Sequence, residues 1–138
     1  MTLLRDAAEG ASLVVCNTCR FSAEEREDAD GVRGGARLVA ALRARKDGDE
    51  RLDGLAIEEM PCLFSCGEHC SIHVRALGKI GYVLGRFEPT AEAAQAILDY
   101  AVAYMASEEG VVPYRQWPEG VKGHFIVRVP PAGKVVRD

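Results

Sequence analysis

The sequence predicts an α/β domain in which a small mixed sheet is flanked by helices, and three observations lead there. Two segments place apolar residues at helical spacing, while four others are short apolar or alternating runs of strand type. These segments follow one another as strand, helix, strand, strand, strand, helix, the alternation of a layered α/β fold. The chain has 138 residues, of which 48% are hydrophobic and 28% charged, enough for one domain with a core of its own.

Residues 1–11 read as an N-terminal tail with no assigned element. Ser12-Leu13-Val14-Val15 is a short buried strand that ends at Cys16. Residues 17–35 are polar, contain Cys19 and include the charged patch Glu24-Glu25-Arg26-Glu27-Asp28, which reads as a solvated loop. Over residues 36–46, Leu38, Val39 and Leu42 recur at helical spacing, and Lys46 suits the negative pole of that helix. Asp47-Gly48-Asp49 supplies the break. Leu55, Ile57 and Glu59 then alternate with Ala56, Glu58 and Met60, a half-buried strand that stops at Pro61. Residues 71–77 and 79–87 are strand-like runs joined at Gly78, so they are expected to pair as an antiparallel hairpin. Thr90 is the expected N-cap of a second helix with an apolar face of Ala93, Ala94, Ile97, Leu98, Ala101, Tyr104 and Met105, ending at Gly110. Residues 111–138 hold Tyr114, Trp117, a candidate strand at 124–129, and Pro130-Pro131. A βαβ unit followed by a hairpin and a helix is the thioredoxin arrangement. The expected division is a tail (1–11), a thioredoxin-like domain (12–110) and a C-terminal extension (111–138).

The formal charge of -4 and the pI near 5.4 argue against a nucleic-acid surface and are compatible with docking onto basic redox partners. No apolar run approaches the roughly 18 residues of a membrane span. The first ten residues carry acids and lack the charged-then-apolar order of a secretory signal, so the expected location is cytoplasmic. In that reducing compartment, thiols serve metal ligation or catalysis more often than a disulfide framework.

All five cysteines fall in two short clusters, each beside a predicted strand end. Cys16-Asn17-Thr18-Cys19 follows the first strand, and Cys62, Cys66 and Cys70 lie within Pro61-Cys62-Leu63-Phe64-Ser65-Cys66-Gly67-Glu68-His69-Cys70. A [2Fe–2S] core needs two sulfurs on each iron, so two separated cysteine pairs form a natural cage. Cys16 and Cys19 would supply one pair, Cys62 and Cys66 the other, with Cys70 as a substitute ligand. Four thiolates would also close a structural zinc site in an interaction or metal-handling module. A third reading takes Cys16-x-x-Cys19 as the dithiol of a thiol–disulfide oxidoreductase. That chemistry needs a helix N-terminus next to the first cysteine, and the predicted helix begins well downstream.

The block Cys62-Leu63-Phe64-Ser65-Cys66, with Ile72-His73-Val74, Gly78-Lys79-Ile80-Gly81-Tyr82 and Pro89-Thr90-Ala91-Glu92, resembles the thioredoxin-like [2Fe–2S] ferredoxins. Over nearly its whole length the chain is similar to a bacterial family of unknown function labelled metal-binding, domain-of-unknown-function family 1636. That likeness is carried by Cys16-Asn17-Thr18-Cys19-Arg20, Gly35-Ala36-Arg37-Leu38, the stretch from Cys62 to Cys70, Gly78-Lys79-Ile80-Gly81-Tyr82, Val112-Pro113-Tyr114-Arg115 and Arg128-Val129-Pro130-Pro131. The ferredoxin resemblance implies a non-enzymatic electron carrier with a redox partner protein, and it leaves a homodimer open. The family resemblance implies a context in cobalamin biosynthesis. Two departures stand out: the first cysteine pair is closer together than in the ferredoxins, and Cys70 adds a fifth thiol where those relatives usually carry a proline.

His69 could replace a thiolate, although a solvent-facing loop histidine is the plainer reading. His73 is expected on the strand face opposite Ile72 and Val74. Tyr82, Tyr114 and Trp117 read as packing residues, and Gly81 and Gly85 as points of close backbone approach. The sequence contains no phosphate-binding glycine loop, no serine–histidine–acid set and no paired catalytic carboxylates.

Overall fold

The computed structural model describes residues 2–65 and 67–138. Five strands form one mixed sheet: β1 (Ala11–Cys16), β2 (Leu55–Met60), β3 (Ile72–Arg75), β4 (Gly81–Leu84) and β5 (Phe125–Val129), in the order β2-β1-β3-β4-β5. β1 and β2 run parallel, and the remaining neighbours are antiparallel. Two helices complete the fold, α1 (Gly34–Lys46) between β1 and β2 and α2 (Ala91–Ala106) after β4.

Register decides which side chains reach the core. Ile57, Leu13, Val74 and Tyr82 stand opposite one another across four strands and share a face. That face meets Leu38 and Leu42 of α1 and Ile97, Leu98, Ala101 and Tyr104 of α2 in one apolar cluster, and α1 lies against α2. Fully burying each Leu, Ile or Val side chain contributes about 1.5–3 kcal/mol. The opposite row, Glu58, Val14, His73, Val83 and Val127, faces away from the helices.

Thr90 caps α2 as expected, its hydroxyl accepting from the Ala93 amide at 3.1 Å. That helix stops at Ala106, ahead of the expected Gly110, because the Ser107 amide closes the last turn onto the Tyr104 carbonyl. α1 starts earlier than residue 36, taking in Gly34 and Gly35. The candidate strand in the tail is real and joins the sheet through β4. Trp117 stacks on Phe125 with ring centroids 4.3 Å apart and donates to the Val112 carbonyl at 2.8 Å, which anchors the tail by packing. Among the described residues, no helix is long and apolar enough to cross a membrane.

The parallel pairing of β1 with β2 positions the cysteines. It sets Cys16 beside Met60 at one end of the sheet, so the segments after both strands leave from the same place. The approach to β3 is bound there too, through the Cys16 amide and the Ser71 carbonyl at 3.1 Å.

Candidate metal centre

Beyond β1 the chain turns at once. The Cys19 amide reaches back to the Cys16 carbonyl at 3.5 Å, and the Asn17 amide donates to the Met60 carbonyl at 3.0 Å. The N-terminus of α1 is folded onto this turn: the Gly35 amide donates to the Cys19 carbonyl at 3.2 Å. In sequence the helix is far from Cys16; in space it abuts the cysteine turn, and the intervening residues 20–33 loop out. Asp28 holds that loop, accepting from the amides of Asp30 and Val32 and from the guanidinium of Arg37 on α1.

Thr18 joins the two cysteine segments. Its hydroxyl accepts from the Cys62 amide at 3.1 Å and lies 3.7 Å from Cys16 Sγ. The Phe64 amide donates to Cys62 Sγ at 3.3 Å. Cys19 Sγ sits 3.4 Å from Ser71 Oγ and accepts from the Ser71 amide at 3.5 Å. Thus Cys16, Cys19 and Cys62 come together on a cavity of about 310 Å³, lined also by Thr18, Arg20, Arg26, Arg33, Leu63 and Ser65. Cys66, the fourth expected ligand, lies outside the described residues.

Cys70 is placed differently. It is fully buried in the apolar cluster, and its thiol donates to the Arg20 carbonyl at 3.5 Å. It does not line the cavity. Nor does His69, whose backbone carbonyl accepts from Arg86 at 2.7 Å. His73 points away from the helices as expected; its Nε2 is buried without a hydrogen-bond partner, and burial lowers its pKa. His124 stacks on Phe87 and bonds the Gly85 carbonyl.

The electrostatics of the first pair are asymmetric. A hydrogen bond from Cys19 lowers the Cys16 thiol from 9.0 to about 5 against the opposing effect of burial, helped by the Leu63 amide and by Thr18. Cys19 is pushed up in turn, first by donating to Cys16 and then by burial. Burial raises Cys70 to about 12, with a smaller contribution from the nearby Cys16 charge. A thiolate is therefore favoured at Cys16 and disfavoured at Cys19 and Cys70.

The backbone carries strain at the same place. Cys62, Phe64 and Cys70 adopt φ of +57°, +59° and +53°, the left-handed region that non-glycine residues rarely occupy. Ser65 Oγ is buried without a partner, and Ser65 lines the cavity. Among the described residues, no three His, Cys, Asp or Glu side chains are already grouped as a metal cage. The donor set nevertheless suits a thiol-liganded group: soft sulfurs from two segments face one space, with a polar atom left unsatisfied beside them.

Thr18, Ser71 and the three arginines are site residues that the sequence reading misses. Thr18 is legible only as a hydroxyl inside the first cysteine pair. Arg26 belongs to the patch expected to be a solvated loop; it is exposed, yet it lines the cavity.

Two solved structures of the thioredoxin-like [2Fe-2S] ferredoxin from Aquifex aeolicus share this fold. One matches with a TM-score of 0.54 at 18% identity, covering 93% of this chain and 100% of the other. The second matches with a TM-score of 0.52 at 19% identity, covering 80% of this chain and 96% of the other. A comparison with curated proteins gives no match. The family model described as "Protein of unknown function (DUF1636)" matches residues 13–131, and the chain belongs to that family.

Proposed function

We propose that the chain binds a [2Fe–2S] cluster through Cys16, Cys19, Cys62 and Cys66 and carries single electrons to or from a redox partner protein. The observation that carries this reading is the meeting of Cys16 and Cys19 with Cys62, distant in sequence, on one cavity at the end of the sheet. The fold it shares with thioredoxin-like [2Fe-2S] ferredoxins supports it further. A cluster of this type, when bound, takes up and returns one electron. The chain's own part is to hold thiolates at fixed points: Thr18 ties the two segments, Ser71 and the amides of Leu63 and Phe64 donate to sulfur, and α1 braces the turn.

A thiol–disulfide oxidoreductase is the second reading, favoured by the Cys19 to Cys16 hydrogen bond and by the nearby helix N-terminus. Burial weighs against it. Cys16 and Cys19 are 3% and 7% exposed, whereas attack on a disulfide needs an accessible thiolate. A zinc module would use the same thiolates.

Metal content and spectra of protein purified without oxygen decide among the three. Near-equal iron and acid-labile sulfide, with a paramagnetic signal on one-electron reduction, are expected. Stoichiometric zinc without sulfide, or metal-free protein that reduces disulfides catalytically, would overturn the carrier reading.

A further inference from the structure

We propose that the arginine-lined mouth of the thiol cavity, with Phe64 beside it, is the docking face for a partner protein that presents carboxylates around an apolar contact. This rests on the carrier reading and adds to it the chemistry of the partner.

The charged side chains lining the cavity are Arg20, Arg26 and Arg33, with no carboxylate among the described lining residues. None of the three has an ion-pair partner among the described residues, although carboxylates elsewhere pair with Arg5, Arg37, Arg43, Arg51 and Arg86. Arg33 is held in place through its guanidinium, which donates to the Thr18 carbonyl at 3.2 Å. The chain as a whole carries a charge of -4, so the mouth has the opposite sign to its surroundings. Such a local reversal steers an approaching anionic group to that spot, while the rest of the surface repels it.

Phe64 supplies the second, independent observation. It lies between Leu63 and Ser65, both lining the cavity; it is 95% exposed and holds φ of +59°. An aromatic ring this exposed gains from a partner that covers it. Arginine and aromatic residues are also both enriched at protein–protein interfaces.

A nucleic acid fits the same cations less well. The basic area is confined to one mouth on an acidic chain, with Glu24, Glu25 and Glu27 exposed in the same loop, and a long polyanion would meet them. A symmetric contact with a second copy would set the arginines against each other. The net charge is compatible with basic redox partners, whereas the partner proposed for this mouth is acidic.

The test uses the reduced, metal-free full chain without oxygen, and follows the reaction of Cys62, the half-buried thiol of the cavity, with two disulfides of opposite charge, the dianionic dithiobis(nitrobenzoate) and the dicationic cystamine. The dianion's rate should fall about tenfold from low to high salt, while the dication's rises. Arg26→Glu should abolish that contrast. Arg128→Glu, on β5 and outside the cavity lining, makes the same change in net charge and should leave the contrast intact. An acidic peptide containing leucines should protect that thiol better than oligoglutamate, an advantage lost in Phe64→Ser. Salt-independent rates, an unchanged contrast in Arg26→Glu, stronger protection by oligothymidylate of equal charge, or dimerisation abolished by Phe64→Ser would each overturn the docking face. None of these rates needs a cluster. A colourless protein with the expected charge preference therefore fails the carrier reading alone, and an iron-loaded one without it fails the docking face alone.

Discussion

The α-carbon of Gly35 lies so close to the carbonyl oxygen of Cys16 that no Cβ could be placed there. Gly34 is equally crowded by the backbone of Arg20 and Phe21. The pair is the means by which the first turn of α1 reaches the cysteine turn. Gly35→Ala should force the helix away, lowering stability by about 1–3 kcal/mol, the range for overpacking a filled site, and reducing retained iron. Gly67, with open space around its Cβ position, is the control: Gly67→Ala should leave the urea midpoint nearly unchanged.

Thr18 is expected to matter through its hydroxyl. Thr18→Val keeps the shape but leaves the Cys62 amide without its acceptor and removes a donor near Cys16. A loss of about 1–2 kcal/mol is expected from one hydrogen bond of this kind. In the metal-free protein the thiol that titrates earliest should move up toward its ordinary range, read from thiolate absorbance against pH.

The fold is largely legible from the chain because its signals are local. Period-two alternation places β2, apolar spacing places both helices, and Thr90 announces α2. What stays hidden depends on close approach in space. Gly34 and Gly35 look like helix breakers, yet they are helical because backbone lies where side chains would be. Gly81 reads as a point of close approach, and a Cβ there would come within 2.6 Å of His73 Nε2. The cysteine pairs are visible as spacing, whereas the hydroxyls and arginines that surround them are not, since Ser71, Arg20 and Arg33 reach the site only through sheet register and the loop over residues 20–33. Net charge is silent about the mouth because a sum over the chain carries no position.

The Cys16 and Cys19 shifts set a pH dependence for the metal-free protein. Unfolded, both thiols would titrate near 9.0; folded, Cys16 titrates near 5 and Cys19 well above its ordinary value. Between pH 5 and 9 the folded pair holds one proton fewer than the unfolded pair, so stability rises with pH across that window. Above 9 the folded pair retains a proton the unfolded chain has lost, and the trend reverses. Urea midpoints measured without oxygen should pass through a maximum near pH 9, and Cys16→Ser should flatten the rising limb.

Asp28 and Arg37 latch the loop that carries Arg20, Arg26 and Arg33 onto α1. Asp28→Asn weakens the guanidinium contact while retaining an acceptor for the Asp30 and Val32 amides. Hydrogen exchange should quicken over residues 20–33 and stay unchanged in β1, β3 and α2. Uniform acceleration across the sheet would show that the latch supports the whole core.

The assignment of sulfurs depends on where the fold puts Cys70. Its distance from Cys66 in sequence equals that of Cys66 from Cys62, so spacing alone allows it to replace Cys19. Position separates them. Cys19 lines the cavity beside Cys16 and Cys62, whereas Cys70 sits in the apolar cluster, away from the cavity lining, and donates to the Arg20 carbonyl. A thiolate removed from the ligand set leaves the metal open to water and oxygen. Cys19→Ser should therefore lose most of its iron and sulfide even when purified without oxygen. Cys70→Ser keeps a donor for the Arg20 carbonyl, should lose about 1–3 kcal/mol of stability for a hydroxyl in an apolar site, and should keep its iron. If Cys70→Ser bleaches the protein while Cys19→Ser retains full iron and sulfide, Cys70 is the fourth ligand and the assignment fails.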